Sequence, residues 1–112
     1  MSPLKIIERD AETGPVLEVI GDLDFAHAPE LRERISRLVV PPGRRLVLDL
    51  AGLEFCDSSG ITALIAAHSH AEAARADVVL AAVPANTLRV LHLVGLDQIF
   101  TVQPDSDSAT RH

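Results

Sequence analysis

Residues 45–67 read RLVLDLAGLEFCDSSGITALIAA, and the order of chemistry along them decides the fold. RLVLDL, 45–50, carries apolar residues on both faces, as a central strand of a covered sheet does. AGLEFCD, 51–57, interrupts the run and reads as a turn. Beyond it the spacing predicts a helix over about 58–76. Ile61, Leu64, Ile65 and His68 fall on one face of that helix, and its alanines permit close packing. Asp57, Ser58, Ser59 and Gly60 therefore sit where a buried strand hands over to a helix. In open α/β sheets, sites are built at the carboxyl ends of strands, in turns of this kind.

Outward from this stretch the same alternation continues. VVLAAV, 78–83, is another buried strand, and Pro84 opens a third helix, ANTLRVLHLV, 85–94, which Gly95 ends. QIFTV, 98–102, reads as a last edge strand. Upstream, LKII, 4–7, and PVLEVI, 15–20, form a hairpin around Gly14, with the second strand ending at Gly21. In GDLDFAHAPELRERISRLVVPPG, 21–43, Ala28, Leu31, Ile35 and Leu38 share a helical face. Pro29 suits the first helical turn, where its missing N–H goes unused. Glu30 with Arg34 and Glu33 with Arg37 are favourable i,i+4 pairs, and PPG, 41–43, stops the helix.

The order β-β-α-β-α-β-α-β predicts an α/β domain: a mixed sheet of about five strands, three to four helices and right-handed crossovers. The domain is assigned to residues 1–103. The polar stretch 104–112 is expected to be a disordered tail. Two acidic turns follow strands and precede helices, GDLD at 21–24 and CDSSG at 56–60, and the function is expected there.

Composition narrows the function classes. The 112 residues suit one domain with a real core. With three Phe and no Trp or Tyr, that core must be aliphatic. A net charge of −6 and few aromatics supply neither the basic footprint nor the stacking platforms of a nucleic-acid binder. The single cysteine, Cys56, rules out an intrachain disulfide and cysteine-based metal clusters. MSPLKIIERD has no apolar signal core, and no apolar run approaches the ~20 residues of a spanning helix, so a soluble cytoplasmic protein is expected.

The residues of the turn leave several chemistries open. A serine nucleophile needs a base and an oxyanion site, yet the G-x-S-x-G elbow is absent and no acid–His–Ser signature accompanies the five histidines. Neither phosphate-binding glycine motif occurs, and Asp57 would repel a phosphoanion. Asp22, Asp24 and Asp57 could converge on a metal, but their spacing matches no calcium loop. His68 and Glu72 share a helix face, which a surface pair explains as well. Cys56 reads as a small packed residue. Helix capping accounts for Asp and Ser at such a place. It leaves two outward hydroxyls unexplained, and a phosphate on one of them would add about −1.5 to −2 charge to a binding face.

The chain resembles the anti-sigma factor antagonists, which are single STAS domains. The resemblance spans roughly residues 4–103. It rests on GDLDFAHAPELRERI, 21–35, RLVLDLAGLEFCDSSGITALIAA, 45–67, and VVLAAVPANTLRVLHLVGLDQIFTV, 78–102, in order and at the right spacing. D-S-S-G after a strand is the most specific piece. Cys56 departs from the Met or Phe common there. The resemblance implies a STAS fold and a partner-switching role without enzymatic activity, cofactor or metal of its own. The unphosphorylated antagonist would bind an anti-sigma factor with a histidine-kinase-like ATPase fold and free the sigma factor. That partner, a serine kinase, would phosphorylate Ser59, and a PP2C-type phosphatase would reset it. Ser58 would be a neighbour and cap, Asp57 would orient the turn, and Asp22, Asp24 and Gly60 would complete the partner-binding turns. The implied form is a cytoplasmic monomer or weak dimer with no nucleic-acid or membrane partner. The alternative is a STAS module that senses a nucleotide or other small anion at the same two turns.

Overall fold

The computed structural model describes residues 3–110. Strands β1 (Lys5–Ala11) and β2 (Gly14–Leu23) form the antiparallel hairpin that the sequence predicts, with Ala11 opposite Gly14. Strands β3 (Arg45–Asp49), β5 (Asp77–Ala81) and β6 (Thr101–Gln103) add in parallel, giving the order β1-β2-β3-β5-β6. Leu46, Val47 and Leu48 are fully buried, as a strand covered on both faces requires. The remaining strand, β4 (Leu53–Cys56), lies off this path and pairs only with β2, so the mixed sheet has six strands.

The sheet differs from the sequence reading at the point that matters for function. β2 does not end at Gly21, and AGLEFCD is not all turn. The register shifts between Gly21 and Asp22, where Gly21 takes a φ of +98°, a conformation that glycine adopts freely. From Gly21 onward β2 pairs with β4 in place of β3: Gly21 lies opposite Leu53 and, after the shift, Asp22 opposite Phe55 and Leu23 opposite Cys56. A four-residue strand with one buried side chain, Leu53, carries too little alternation to be seen in sequence.

The helices begin where their residues predict and end earlier. Helix α1 (Ala28–Ser36) buries Ala28, Leu31 and Ile35 and has Pro29 in its first turn. It stops before PPG, with the Ser36 hydroxyl donating to the Glu33 carbonyl at 2.7 Å. Such back-bonding offers the chain an alternative to helix. Helix α2 (Ser58–Ala73) closes in a Schellman motif without glycine. Ala76 N donates to Ala71 O at 2.8 Å, Arg75 N donates to Glu72 O at 3.0 Å, and Arg75 adopts a φ of +58°. Helix α3 (Ala85–Leu93) precedes a 3-10 turn, Leu96–Gln98, which takes the start of the expected QIFTV strand.

Both sheet faces are covered. The larger core gathers Leu17, Val19, Leu31, Ile35, Leu46, Leu48, Leu64, Leu80 and Leu91 between the sheet and α1, α2 and α3. On the other face Val16, Val47 and Val79 lie side by side in register. A short helix, α4 (Ser106–Ala109), covers them. The expected disordered tail is therefore ordered through residue 110, and only 111–112 lie outside the described residues. Asp105 caps α4 by accepting from Ser108 N at 2.7 Å, Ala109 is fully buried, and the Arg45 guanidinium donates to Ala109 O at 2.8 Å. The need to cover an apolar valine row overrides the polar composition.

Candidate functional site

The candidate site is made by the two turns leading into α1 and α2. Asp57 stands in extended conformation just before α2, and its Oδ1 accepts from Ser59 N at 2.8 Å and Gly60 N at 3.1 Å. These are orphan donors of the first helical turn, so Asp57 is the N-cap. The expectation that Ser58 caps is corrected: Ser58 is already the first helical residue, with an exposed side chain. The other carboxylate oxygen of Asp57 accepts from Phe25 N at 3.1 Å, across the gap to the turn before α1. One side chain thus fixes both turns. Asp57 N also donates to Leu23 O at 3.3 Å, which ties the cap to the extended end of β2.

Gly60 allows this closeness. A β-carbon at Gly60 would come 2.4 Å from Leu23 O and 2.6 Å from Cys56 Sγ. No side chain fits there. The helix start therefore lies flush against the ends of β2 and β4. The Cys56 thiol is pushed up to about 11, first by burial and then by the Asp57 charge, so it is a protonated packing group.

The opposite turn is built differently. Asp24 Oδ1 accepts from His27 N at 3.0 Å and lies 2.7 Å from His27 Nδ1. Desolvation pushes the Asp24 carboxyl up, but the hydrogen bonds and charge of His27 outweigh it and hold the group below the usual carboxylate value. Helix α1 has no side-chain cap. Asp22 is not in an exposed turn at all: it sits in β2 beyond the bulge, 8% exposed, because the strand runs on past Gly21. Asp24 is the more accessible of the two.

Among the described residues no three His, Cys, Asp or Glu side chains converge as metal ligands. Asp22, Asp24 and Asp57 do not form such a group: Asp57 is occupied by three backbone amides, Asp24 by His27, and Asp22 is buried. His68 lies 3.8 Å from Glu72 and packs edge-on against Phe100, as a half-buried surface pair does.

Ser59 is half-buried at a cleft of about 430 Å³ shared with Phe25, Ala26, Ala28, Pro29, Arg32 and Thr62. Its hydroxyl makes no hydrogen bond among the described residues. Ser58 faces a second cleft of about 570 Å³, walled by Ile61, Ile65, Val90, Val94 and Leu96. The apolar rim was missing from the sequence reading. Phe25, which lines the Ser59 cleft, is 80% exposed, and Phe55, next to Cys56 in β4, is 53% exposed. Phe25 and Phe55 fall in LDFAH and LEFCD, whose sequences show no helical or strand period that explains an aromatic. That misfit was the available signal.

These features belong to a known class. The STAS domain family model matches residues 5–109, and the chain belongs to that family. Anti-sigma-F factor antagonist RsfB of Mycobacterium tuberculosis is 34% identical over 85 residues, covering 76% of this chain and 69% of the relative. The anti-sigma-B factor antagonist of Listeria monocytogenes is 25% identical over 100 residues, covering 89% and 87%. The crystal structure of an anti-sigma factor antagonist from Mycobacterium paratuberculosis superposes with a TM-score of 0.80 at 30% identity, over 98% of this chain and 96% of the other. No helix among the described residues is long and apolar enough to cross a membrane.

Proposed function

We propose that this protein is an anti-sigma factor antagonist that works by partner switching, with Ser59 as the phosphoacceptor. The observation that carries the reading is the Ser59 hydroxyl itself. It is uncommitted, at an apolar-rimmed cleft, on a turn that Asp57 holds from both sides. The partner is an anti-sigma factor with a histidine-kinase-like ATPase fold, acting as a serine kinase. Binding the unphosphorylated form releases its sigma factor. The setting is cytoplasmic, the chain acts as a monomer or weak dimer, and it needs no nucleic acid, membrane or cofactor.

The division of labour follows from the chemistry. The kinase supplies ATP, magnesium and the base. The γ-phosphoryl passes to Ser59 Oγ, the hydroxyl proton leaves to the kinase and ADP departs. The antagonist contributes a stiff presentation of one oxygen, and hence no catalysis of its own. Asp57, Ser58 and Gly60 set the turn, and Asp24, Phe25 and Phe55 offer the surrounding surface. An interface of ordinary size takes ~800 Å² from each partner, with aromatic anchors near its centre. A phosphate at its middle adds about −1.5 to −2 charge next to Asp57. Each ~1.4 kcal/mol of lost binding is tenfold in affinity, so modest repulsion releases the kinase. A PP2C-type phosphatase then restores the hydroxyl.

The alternative, a sensor of a nucleotide or other small anion, has weaker support. The first-turn amides of Ser59 and Gly60 already bond to Asp57, and Arg32 is the single cation lining the Ser59 cleft. A polyphosphate would face a carboxylate.

Calorimetric titration into the purified anti-sigma factor tests the proposal. Wild type and Ser59→Ala should bind alike, and Ser59→Asp should bind at least about tenfold more weakly. Equal affinity for Ser59→Asp would overturn the charge switch.

A further inference from the structure

We infer that the phosphate on Ser59 is received by Arg32 of α1, forming an internal ion pair that closes the cleft between the two turns. The inference rests on Ser59 as the phosphoacceptor and adds where the phosphate goes.

A phosphate on this serine has an accounting problem. A helix start normally welcomes an anion through its free amides. Here Asp57 Oδ1 already occupies the amides of Ser59 and Gly60, at 2.8 and 3.1 Å. The phosphate therefore arrives beside a carboxylate and finds the amides of Ser59 and Gly60 taken. In the facing turn, Asp24 and His27 are engaged with one another. What remains in the cleft is apolar, Phe25, Ala26, Ala28 and Pro29, apart from Thr62 and Arg32.

Arg32 is suited to the task. The neighbouring arginines are engaged: Arg34 of α1 lies 3.9 Å from Glu8, and Arg37, just past the helix, pairs with Glu33. Arg32 is exposed and makes no ion pair or hydrogen bond among the described residues. Arg32 and Ser59 line the same cleft, so a guanidinium with no partner of its own among the described residues borders the space that the acceptor oxygen borders. A guanidinium binds a phosphate through two parallel N–H···O bonds, a charge-assisted pair roughly twice as strong as a neutral one. Forming it would draw the arginine stem over the apolar wall beside Phe25. The off state then has two parts: a new charge, and a covered docking surface.

The test uses the full chain with phosphoserine genetically encoded at position 59, so no kinase is involved. The phosphate is titrated by 31P NMR in wild type, Arg32→Gln and Arg32→Lys. A cation held against the phosphate favours its dianion and lowers its second pKa, ordinarily about 6. The wild-type value should lie below that of Arg32→Gln by roughly half a unit or more, with Arg32→Lys between them. Superposed titrations of wild type and Arg32→Gln would overturn the clasp, while mass-spectrometric labelling of unmodified chain by the kinase would still stand. Failure of kinase labelling with a lowered wild-type value would sink Ser59 as the natural acceptor and leave the clasp intact. Arg32 is exposed, so amide spectra should report the same fold in every variant.

Discussion

The two turns that frame the site follow the same plan, strand into helix, and differ in how they are held. The turn into α2 is fixed from inside: Asp57 satisfies two first-turn amides, and Gly60 lets the helix press against Leu23 O and Cys56 Sγ. The turn into α1 has no side-chain cap, leaves Phe25 80% exposed, and is steadied by the Asp24–His27 contact and by a bond from Phe25 N to the other turn's aspartate. One turn spends its residues on geometry, the other on surface. The proposed switch calls for both: an oxygen held in one place for a kinase, and an adaptable apolar patch for docking.

This contrast can be broken most severely at Gly60. Gly60→Ala forces a methyl group into backbone and sulfur, and should cost about 3 kcal/mol, seen as a lower urea midpoint with an unchanged slope. A loss under about 0.5 kcal/mol would show that the turn is not closely packed. Asp57→Ala removes the cap and the bridge to Phe25, and should cost about 1–2 kcal/mol in thermal unfolding, with Asp57→Asn retaining part of it. Phe25→Ala should separate the two roles: stability within about 0.5 kcal/mol of wild type, but roughly tenfold weaker binding to the anti-sigma factor. A stability loss as large as that of Asp57→Ala would erase the distinction between the turns.

The smallest effect concerns pH. The folded Asp24 carboxyl lies below its ordinary value of 3.8. Its contribution is therefore present above the unfolded pKa and is lost as pH falls through the folded one. His27→Ala should raise the Asp24 titration midpoint toward the ordinary value, read by carboxyl 13C NMR. An unmoved midpoint would mean that His27 does not hold the turn.

Much of the fold was legible because strong local signals agreed with it. Leu46 to Leu48 and Val78 to Leu80 read as buried strands, and Leu31 and Ile35 marked the buried face of α1. What escaped notice had weak or misleading signals. β4 is too short to alternate, the end of α2 uses Arg75 where a glycine would have announced it, and α4 hides in a polar sequence. At the site, Asp57, Ser58, Ser59 and Gly60 were found together because turn chemistry is local. Asp22 was misplaced because the bulge at Gly21 is set by pairing with a strand 30 residues away, Gly21 opposite Leu53 in the outer segment. Exposed Phe25 and the open side of Arg32 are tertiary facts that no period reports.

The most direct measurement is intact mass and site mapping after incubating the protein with magnesium-ATP and the purified anti-sigma kinase. The account predicts a single phosphate on Ser59 in wild type and none in Ser59→Ala. A phosphate on Ser58, or one that persists in Ser59→Ala, would contradict it.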